Sequence, residues 1–342
     1  MTESSPTVAS PQAVPWAGRR VLITGAGGFI GSHLAEQLAR EGAQVRAFVH
    51  YNARNDWGLL QALPPDVAAA VEVVPGDLKD QEAVRSAADH IEVIFHLGAL
   101  IAIPYSYKHP VDVVQANVLG TLHVLNAARA AGVARLVHTS TSEVYGTARY
   151  APIDEDHPLQ GQSPYAASKI GADKLVESYV RSFDLPAVTV RPFNTYGPGQ
   201  SARAVIPAII TQALSGDVVR LGALTPTRDL TYVADTVDGF LRAGSVAGVA
   251  GETINLGSGT EIAIGTLAER IIALIGKPVR LETDAGRLRP ARSEVMRLIS
   301  DNRKAAALLG WRPTTSLDEG LARTIEWLRG ELHRYKPAIY NV

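Results

Sequence analysis

The stretch "TGAGGFIG", residues 24–31, constrains this chain more than any other. It sets Gly25, Gly28 and Gly31 in a G-x-x-G-x-x-G spacing. Before it lies "RRVLIT" (19–24), a short apolar run of strand length; after it lies "HLAEQLAREG". The pattern predicts strand, tight turn and helix, with Gly42 stopping the helix. Glycine permits the turn and lets backbone approach a pyrophosphate, while the helix N-terminus offers N–H groups and a favourable dipole. Gly25, Phe29, Ile30, Gly28 and Gly31 are therefore candidate cofactor-binding residues. An ordinary glycine turn is the competing reading, and the flanking strand and helix weigh against it.

The alternation continues. "AQVRAFV", "VEVVPGDL", "IEVIFHLGA", "ARLVHTS" and "PAVTVRPF" are further apolar runs of strand length. Helical patterns such as "VLGTLHVLNAARAAG" and "YAASKIGADKLVESYVRSF" lie between most of them. Strands alternating with helices predict an α/β fold, a Rossmann-type doubly wound parallel sheet covered on both faces. After about residue 195 the pattern loosens. "VIPAIITQALSG", "TLAERIIALIG", "SDNRKAAALLG" and "LDEGLARTIEWLRGEL" predict helices, with short strands such as "ETINLG" between them. The expected organisation is a tail over 1–18, a dinucleotide-binding domain over 19–194 and a smaller substrate lobe over 195–342, with segments crossing back.

The 342-residue length suits one large α/β domain or two lobes. The 33 basic and 34 acidic residues balance, so no polyanion-binding surface is expected and nucleic acid is not an expected partner. The absence of cysteine excludes disulfides, thiolate metal sites and a cysteine nucleophile. It fits a reducing cytoplasm, and no metal is expected. The Pro-, Ser- and Thr-rich start lacks a basic head and a long apolar stretch, so it predicts a flexible tail rather than a signal peptide. No run approaches the ~18 apolar residues of a membrane helix.

The second strand runs into "FVHYNARND". An acidic residue near this point normally grips the ribose hydroxyls of NAD. Val49 or His50 stands there instead. His50 and Arg54 are positioned to meet a 2′-phosphate; Asn52 or backbone is the alternative ribose holder. NAD and NADP both stay open on this ground. Asp77 and Leu78 in "GDL" are candidate neighbours of the adenine. Leu97 and Ala99 in "HLGAL" end a strand where the cofactor should lie.

"SPYAASK" supplies Tyr165 and Lys169 four residues apart, on one face of a helix. A lysine ammonium beside a phenol stabilises the phenolate, so the tyrosine can take a hydroxyl proton near neutral pH. Lys169 can also bind cofactor ribose. Thr141, in "TSTSEVYG", is the natural second donor to a substrate hydroxyl. The same stretch holds Glu143, either a solvated loop carboxylate or a proton-moving group.

From about residue 18 to the C-terminus the chain resembles the extended short-chain dehydrogenase/reductases that act on nucleotide sugars. "TGAGGFIG", "GDL", "HLGA", "NVLGT", "TSEVYG", "YAASK", "RPFNTYGPGQ" and "RDLTYVADT" carry the likeness. Within that family it looks most like the 4,6-dehydratases, especially the UDP-N-acetylglucosamine 4,6-dehydratases of legionaminic-acid pathways, through "IAIPYSY", "LQGQSPY" and "SARAVIP". The resemblance implies bound NAD, a nucleotide-sugar substrate and a homodimer formed through a four-helix bundle of "VVQANVLGTLHVLNAARAA" and "YAASKIGADKLVESYVRSF". The alternative is that both helices are buried within one subunit.

The resemblance also assigns roles. Tyr165 would deprotonate the C4 hydroxyl, and Glu143 stands at the position of the base that removes the C5 proton. dTDP-glucose dehydratases carry an aspartate just before that glutamate as acid for the leaving hydroxyl. This chain has Ser142, as GDP-mannose dehydratases do, so Glu143 would serve as both base and acid. Ser142 becomes a substrate contact. Asn194 resembles the family's nucleotide-phosphate contact. Arg228 and Arg289 resemble its diphosphate arginines, where a planar fork suits the oxygens, and Arg203 is a further candidate. His109 and Asn117 read as structural.

Three rival readings remain. A UDP-glucuronate decarboxylase shares Thr-Ser-Glu-x-Tyr-Gly but usually places an arginine three residues before the tyrosine, where this chain has Gln162. A 4-epimerase needs no C5 base. A non-catalytic cofactor-binding protein on the same fold would not need Thr141, Tyr165 and Lys169 together.

Overall fold

The apolar run after Arg19 forms β1 (Arg20–Thr24), an interior strand of a seven-stranded parallel sheet. The structure, a computed structural model, describes residues 13–288 and 293–336. From β1 the chain steps outward through β2 (Gln44–His50) to β3 (Val71–Gly76). It then returns to the other side of β1 and continues through β4 (Val93–His96), β5 (Arg135–Thr139) and β6 (Ala187–Pro192). A seventh strand, Thr253–Leu256, completes that edge beside β6. The order reverses between β1 and β4, so the loops leaving them diverge. A crevice opens over the carboxyl ends of the strands, the usual ligand position in open α/β sheets.

Alternate residues of each strand feed opposite faces. Val21 and Ile23 join one core with Leu34 and Leu38 of the helix Phe29–Arg40 and with Val237 and Phe240 of the helix Val233–Ser245. Leu22 joins the other core with Val84, Leu125 and Val176, from the helices Gln81–Ala87, Gly120–Ala131 and Pro164–Phe183. The helix Val233–Ser245 is additional to the helices expected from the sequence.

Beyond β6, short strand pairs and the helices Val205–Ser215, Ile264–Ile275 and Leu317–Glu331 pack together. This part is interleaved with the sheet: the seventh strand and the helix Val233–Ser245 both come from beyond residue 195. At the other end, residues 13–18 depart from the expected flexible tail. Val14 N–H donates to Ser245 O at 3.2 Å, and Trp16 is buried with its ring 5.6 Å from that of Phe95. Burying an indole against a strand residue is reason enough for this segment to be fixed. Among the described residues no helix is long and apolar enough to cross a membrane.

Candidate active site

The glycine turn leaves β1 as expected. Gly25 has φ +72°, and a Cβ there would lie 2.8 Å from the backbone of Gly98. A Cβ on Gly31 would overlap the Gly25 carbonyl. Gly28 caps the helix Phe29–Arg40 without any side-chain hydrogen bond, and no acidic residue stands in the first turn. The amides around Phe29 and Ile30 therefore stay available for an anion, aided by the helix dipole. This cradle fits a dinucleotide pyrophosphate.

The loop after β2 presses on the turn, with Leu59 N–H donating to Gly27 O at 2.9 Å. Asn52 shapes that loop. Its Oδ1 accepts from the N–H groups of Arg54 (3.1 Å) and Asp56 (3.0 Å), and its Nδ2 donates to Asp56 O (2.7 Å). The exposed His50 faces Asp77 at 3.6 Å. Leu78 O accepts from His123 Nδ1 at 2.8 Å, which fixes the segment after β3. Leu97 and Ala99 line the half-buried exit of β4.

Two further residues act at this exit: His96, which the sequence did not single out, and Asn117, which reads there as structural. His96, the last residue of β4, lies between Thr24 Oγ1 (2.7 Å) and Thr121 Oγ1 (3.0 Å). Thr24 Oγ1 also accepts from Gly98 N–H, and Thr121 donates to Asn117 O. These partners assign His96 as neutral, accepting at Nδ1 and donating from Nε2. Burial lowers its pKa well below the ordinary value, in agreement. Asn117 sits in a π turn, Gln115–Leu119, within the helical stretch 110–131. Its side chain accepts from Leu100 N–H (2.8 Å) and donates to Ser168 Oγ (3.0 Å). It thereby ties the loop after β4 to the helix Pro164–Phe183. Such π turns often mark functional sites.

Pro164 and the Ser163 cap start the helix Pro164–Phe183, which carries Tyr165 and Lys169 one turn apart. Both are buried, 7% and 3% exposed. Burial raises the phenol pKa of Tyr165 strongly. Thr141, near the hydroxyl, pulls it down, and the negative charges of Glu143 and Asp173 raise it further. Lys169 Nζ donates to Thr139 O at 2.7 Å rather than pointing solely at the phenol. Burial pulls its pKa down to about 8, opposed by Asp173.

Thr141 caps the short 3₁₀ turn Ser142–Tyr145 by accepting from Glu143 N–H at 3.2 Å. Ser142 is buried and Glu143 half-buried. The turn is clamped by the glutamines of "LQGQSPY". Gln160 donates from its side chain to Tyr145 O (2.8 Å), and Gln162 Oε1 accepts from Thr147 N–H (2.7 Å). The position where a decarboxylase-like arginine would stand is thus occupied by a neutral side chain turned onto backbone.

Beneath the turn lies a buried polar set. Asp173 accepts from His138 Nε2 (3.1 Å), Ser140 Oγ (2.8 Å) and Arg191 Nη2 (2.9 Å). Arg191 also donates to Tyr145 OH (2.9 Å), which donates to Asn255 Oδ1 (2.7 Å) on the seventh strand. Removing one partner from such a set costs about 3–5 kcal/mol, because it leaves a buried charge uncompensated.

The substrate-side candidates are dispersed around the crevice. Asn194 follows β6, with its Nδ2 3.4 Å from Asp229 O. Arg228 is buried, donating to Thr227 O (2.9 Å) and pairing with Glu294 (3.2 Å). Arg203 is exposed beside Ser201. Arg289 lies outside the described residues.

A model of the GDP-mannose 4,6 dehydratase family matches residues 22–324. The chain belongs to this family. It is an enzyme family of nucleotide-sugar dehydratases and epimerases within the extended short-chain dehydrogenases/reductases. A UDP-glucose 4-epimerase of Mycolicibacterium smegmatis is 36% identical over 318 residues, spanning 91% of this chain and 99% of its own. The solved MoeE5, in complex with UDP-glucuronic acid and NAD, is 31% identical with a TM-score of 0.82, covering 91% of this chain and 99% of its own. The dTDP-glucose 4,6-dehydratase DesIV of Streptomyces venezuelae, with NAD bound, is 31% identical with a TM-score of 0.81, covering 93% and 99%. Relatives in the family thus include enzymes named for dehydration and for epimerisation.

Proposed function

We propose that this family member is a nucleotide-sugar 4,6-dehydratase acting on UDP-N-acetylglucosamine or a related UDP-hexose. The observation that carries the reading is Glu143: a half-buried residue whose backbone N–H is capped by Thr141 and whose carboxylate is close enough to Tyr165 to raise its pKa. A 4-epimerase needs no C5 base, so a glutamate in that place is surplus to its chemistry, though some epimerases carry one. A decarboxylase needs a cation for its sugar carboxylate, and Gln162 supplies none.

The cofactor is NAD, held at the Gly25–Gly31 cradle, along Asp77, Leu78, Leu97 and Ala99, and by Tyr165 and Lys169. The solved relatives MoeE5 and DesIV carry NAD, which favours NAD over NADP. When bound, NAD supplies the hydride acceptor for C4 and the hydride donor for C6. Tyr165, as phenolate, takes the C4 hydroxyl proton while Thr141 hydrogen-bonds that oxygen. The resulting 4-ketone acidifies the C5 proton, and Glu143 removes it. Ser142 is too weak an acid to protonate a leaving hydroxide, so Glu143 returns its proton to the C6 hydroxyl and water departs; C5 is then reprotonated from solvent to complete the 4-keto-6-deoxy product. Asn194, Arg203, Arg228 and Arg289 are the proposed nucleotide and diphosphate contacts, with Ser142 on the sugar.

Incubation with UDP-N-acetylglucosamine is expected to give a product lighter by one water. An unchanged mass with a new sugar epimer supports the epimerase instead, and loss of carbon dioxide from UDP-glucuronate the decarboxylase.

The proposed assembly is a homodimer. Val111, Val114 and Leu119 on the 110–131 helical stretch and Phe183 at the end of the catalytic helix are all exposed in the single chain. This supports an intersubunit bundle over burial within one subunit. Light scattering is expected to report twice the 36.4 kDa chain mass, and a monomer at working concentration overturns the assignment.

A further inference from the structure

We infer that His33 is a positioning residue for substrate binding: from the helix that seats the cofactor, its ring holds the loop flanked by the nucleotide-sugar contacts. This rests on the reading of Asn194 and Arg203 as such contacts, and it applies to dehydration and epimerisation alike.

His33 stands on the helix Phe29–Arg40, one turn after Phe29. The two rings meet edge to face, with their centroids 5.7 Å apart. The imidazole is therefore set by the first turn of the helix, the turn whose amides form the pyrophosphate cradle. Its Nε2 lies 2.9 Å from the carbonyl oxygen of Pro198, 165 residues away in the chain. A carbonyl oxygen only accepts, so Nε2 carries a proton and donates it to the bond.

Pro198 lies in the loop that follows the short strand Asn194–Tyr196. It has no backbone N–H to contribute. Its neighbour Gly199 has φ +84°, a conformation that glycine adopts freely. Within the loop, Gln200 donates from Nε2 to Thr195 O at 2.7 Å and from its N–H to Gly197 O at 3.3 Å. On the far side, Tyr335 OH donates to Gln200 O at 2.9 Å. Two contacts reach the loop from the cofactor side. Gly199 packs on Leu59, where a Cβ would lie 3.0 Å from the leucine side chain, and Leu59 N–H is bonded to Gly27 O in the glycine turn. The other contact is His33, and of the two it is the directional one.

Asn194 precedes this loop and Arg203 follows it. Pairing with Leu230–Tyr232 anchors the Asn194 end. A glycine-containing segment loses much backbone freedom when it is ordered. While Pro198 O is held, that loss is met on folding. Without the bond the loop relaxes, and the loss falls on substrate binding instead. The penalty then appears in affinity rather than in chemistry, because the ordered loop serves ground state and transition state equally.

The test compares His33→Phe with His33→Gln, each in the full-length, NAD-loaded enzyme. Phenylalanine keeps a ring beside Phe29 and donates nothing. Glutamine carries an N–H at a similar reach and can replace the donor. Hydrogen exchange of the loop amides 197–204 needs no substrate. It is expected to be faster in His33→Phe and to return to the wild-type rate in His33→Gln. UDP and dTDP are then titrated by calorimetry. Affinity for the diphosphate that wild type binds is expected to fall about tenfold in His33→Phe and to recover in His33→Gln, with NAD content unchanged. In turnover, KM rises by a similar factor and kcat stays near wild type. A bond that only stabilised the fold would lower the melting temperature and leave diphosphate affinity alone, and that result overturns the inference. So does a glutamine variant as weak as the phenylalanine one. Wild-type enzyme that binds neither diphosphate overturns the nucleotide-sugar reading, and the role of His33 in substrate binding with it; the exchange rates distinguish that failure, because they still report whether His33 holds the loop.

Discussion

Tyr165→Phe is expected to abolish C4 oxidation. The phenol sits buried near Thr141, one helical turn before Lys169, and it is the group proposed to take the C4 hydroxyl proton. Phenylalanine keeps the ring and its packing, so the fold and sugar-nucleotide binding should persist. Loss of a positioned base typically costs about 10²–10⁴-fold. The effect here belongs at the upper end, because every later step depends on the 4-ketone. Quenched single turnovers should contain substrate only. A variant that still forms a 4-keto sugar at a substantial rate would move the base elsewhere, with Glu143 the next group to examine.

Glu143→Gln should behave differently, and the contrast is the sharper test. The amide keeps the size of the side chain and, through the same backbone N–H, the contact with Thr141. It accepts no proton from C5. Oxidation at C4 uses Tyr165, Lys169 and Thr141, so a quenched single turnover should contain the 4-keto hexose, lighter than substrate by two hydrogens. Overall turnover should fall by roughly 10²-fold or more, and solvent deuterium should no longer enter C5. Near wild-type formation of the 4-keto-6-deoxy product, with deuterium still entering C5, would reduce Glu143 to a loop carboxylate. The family contains enzymes named as epimerases and as dehydratases, and this variant separates the two chemistries without knowledge of the sugar.

The parts of the site legible in the sequence are those whose chemistry is local. A glycine turn between strand and helix is written in consecutive residues, because backbone crowding at Gly25 and Gly31 arises within the turn and its nearest loop. Tyr165 and Lys169 are legible for the same reason: helical spacing alone puts them on one face. Thr141 and Glu143 lie two residues apart in a single 3₁₀ turn. The alternation of strand and helix likewise announced the parallel sheet, since each element's apolar pattern depends only on its own residues.

Tertiary structure decided what joins distant residues. Nothing near Trp16 in the chain says that Phe95 will cover it. Asp173 reads as an ordinary helix residue until β5 and β6 bring His138, Ser140 and Arg191 against it, 35, 33 and 18 residues away. His96 acquires its neutral state only from Thr24 and Thr121, and the glutamines of "LQGQSPY" acquire their clamp only by folding back on Tyr145 and Thr147. The sequence by itself set out the candidate proton-moving groups, because those groups are set by local spacing. The three-dimensional arrangement decided which charges and hydrogen bonds tune them. Burial and electrostatic partnership are properties of contacts between elements, and no single element encodes them.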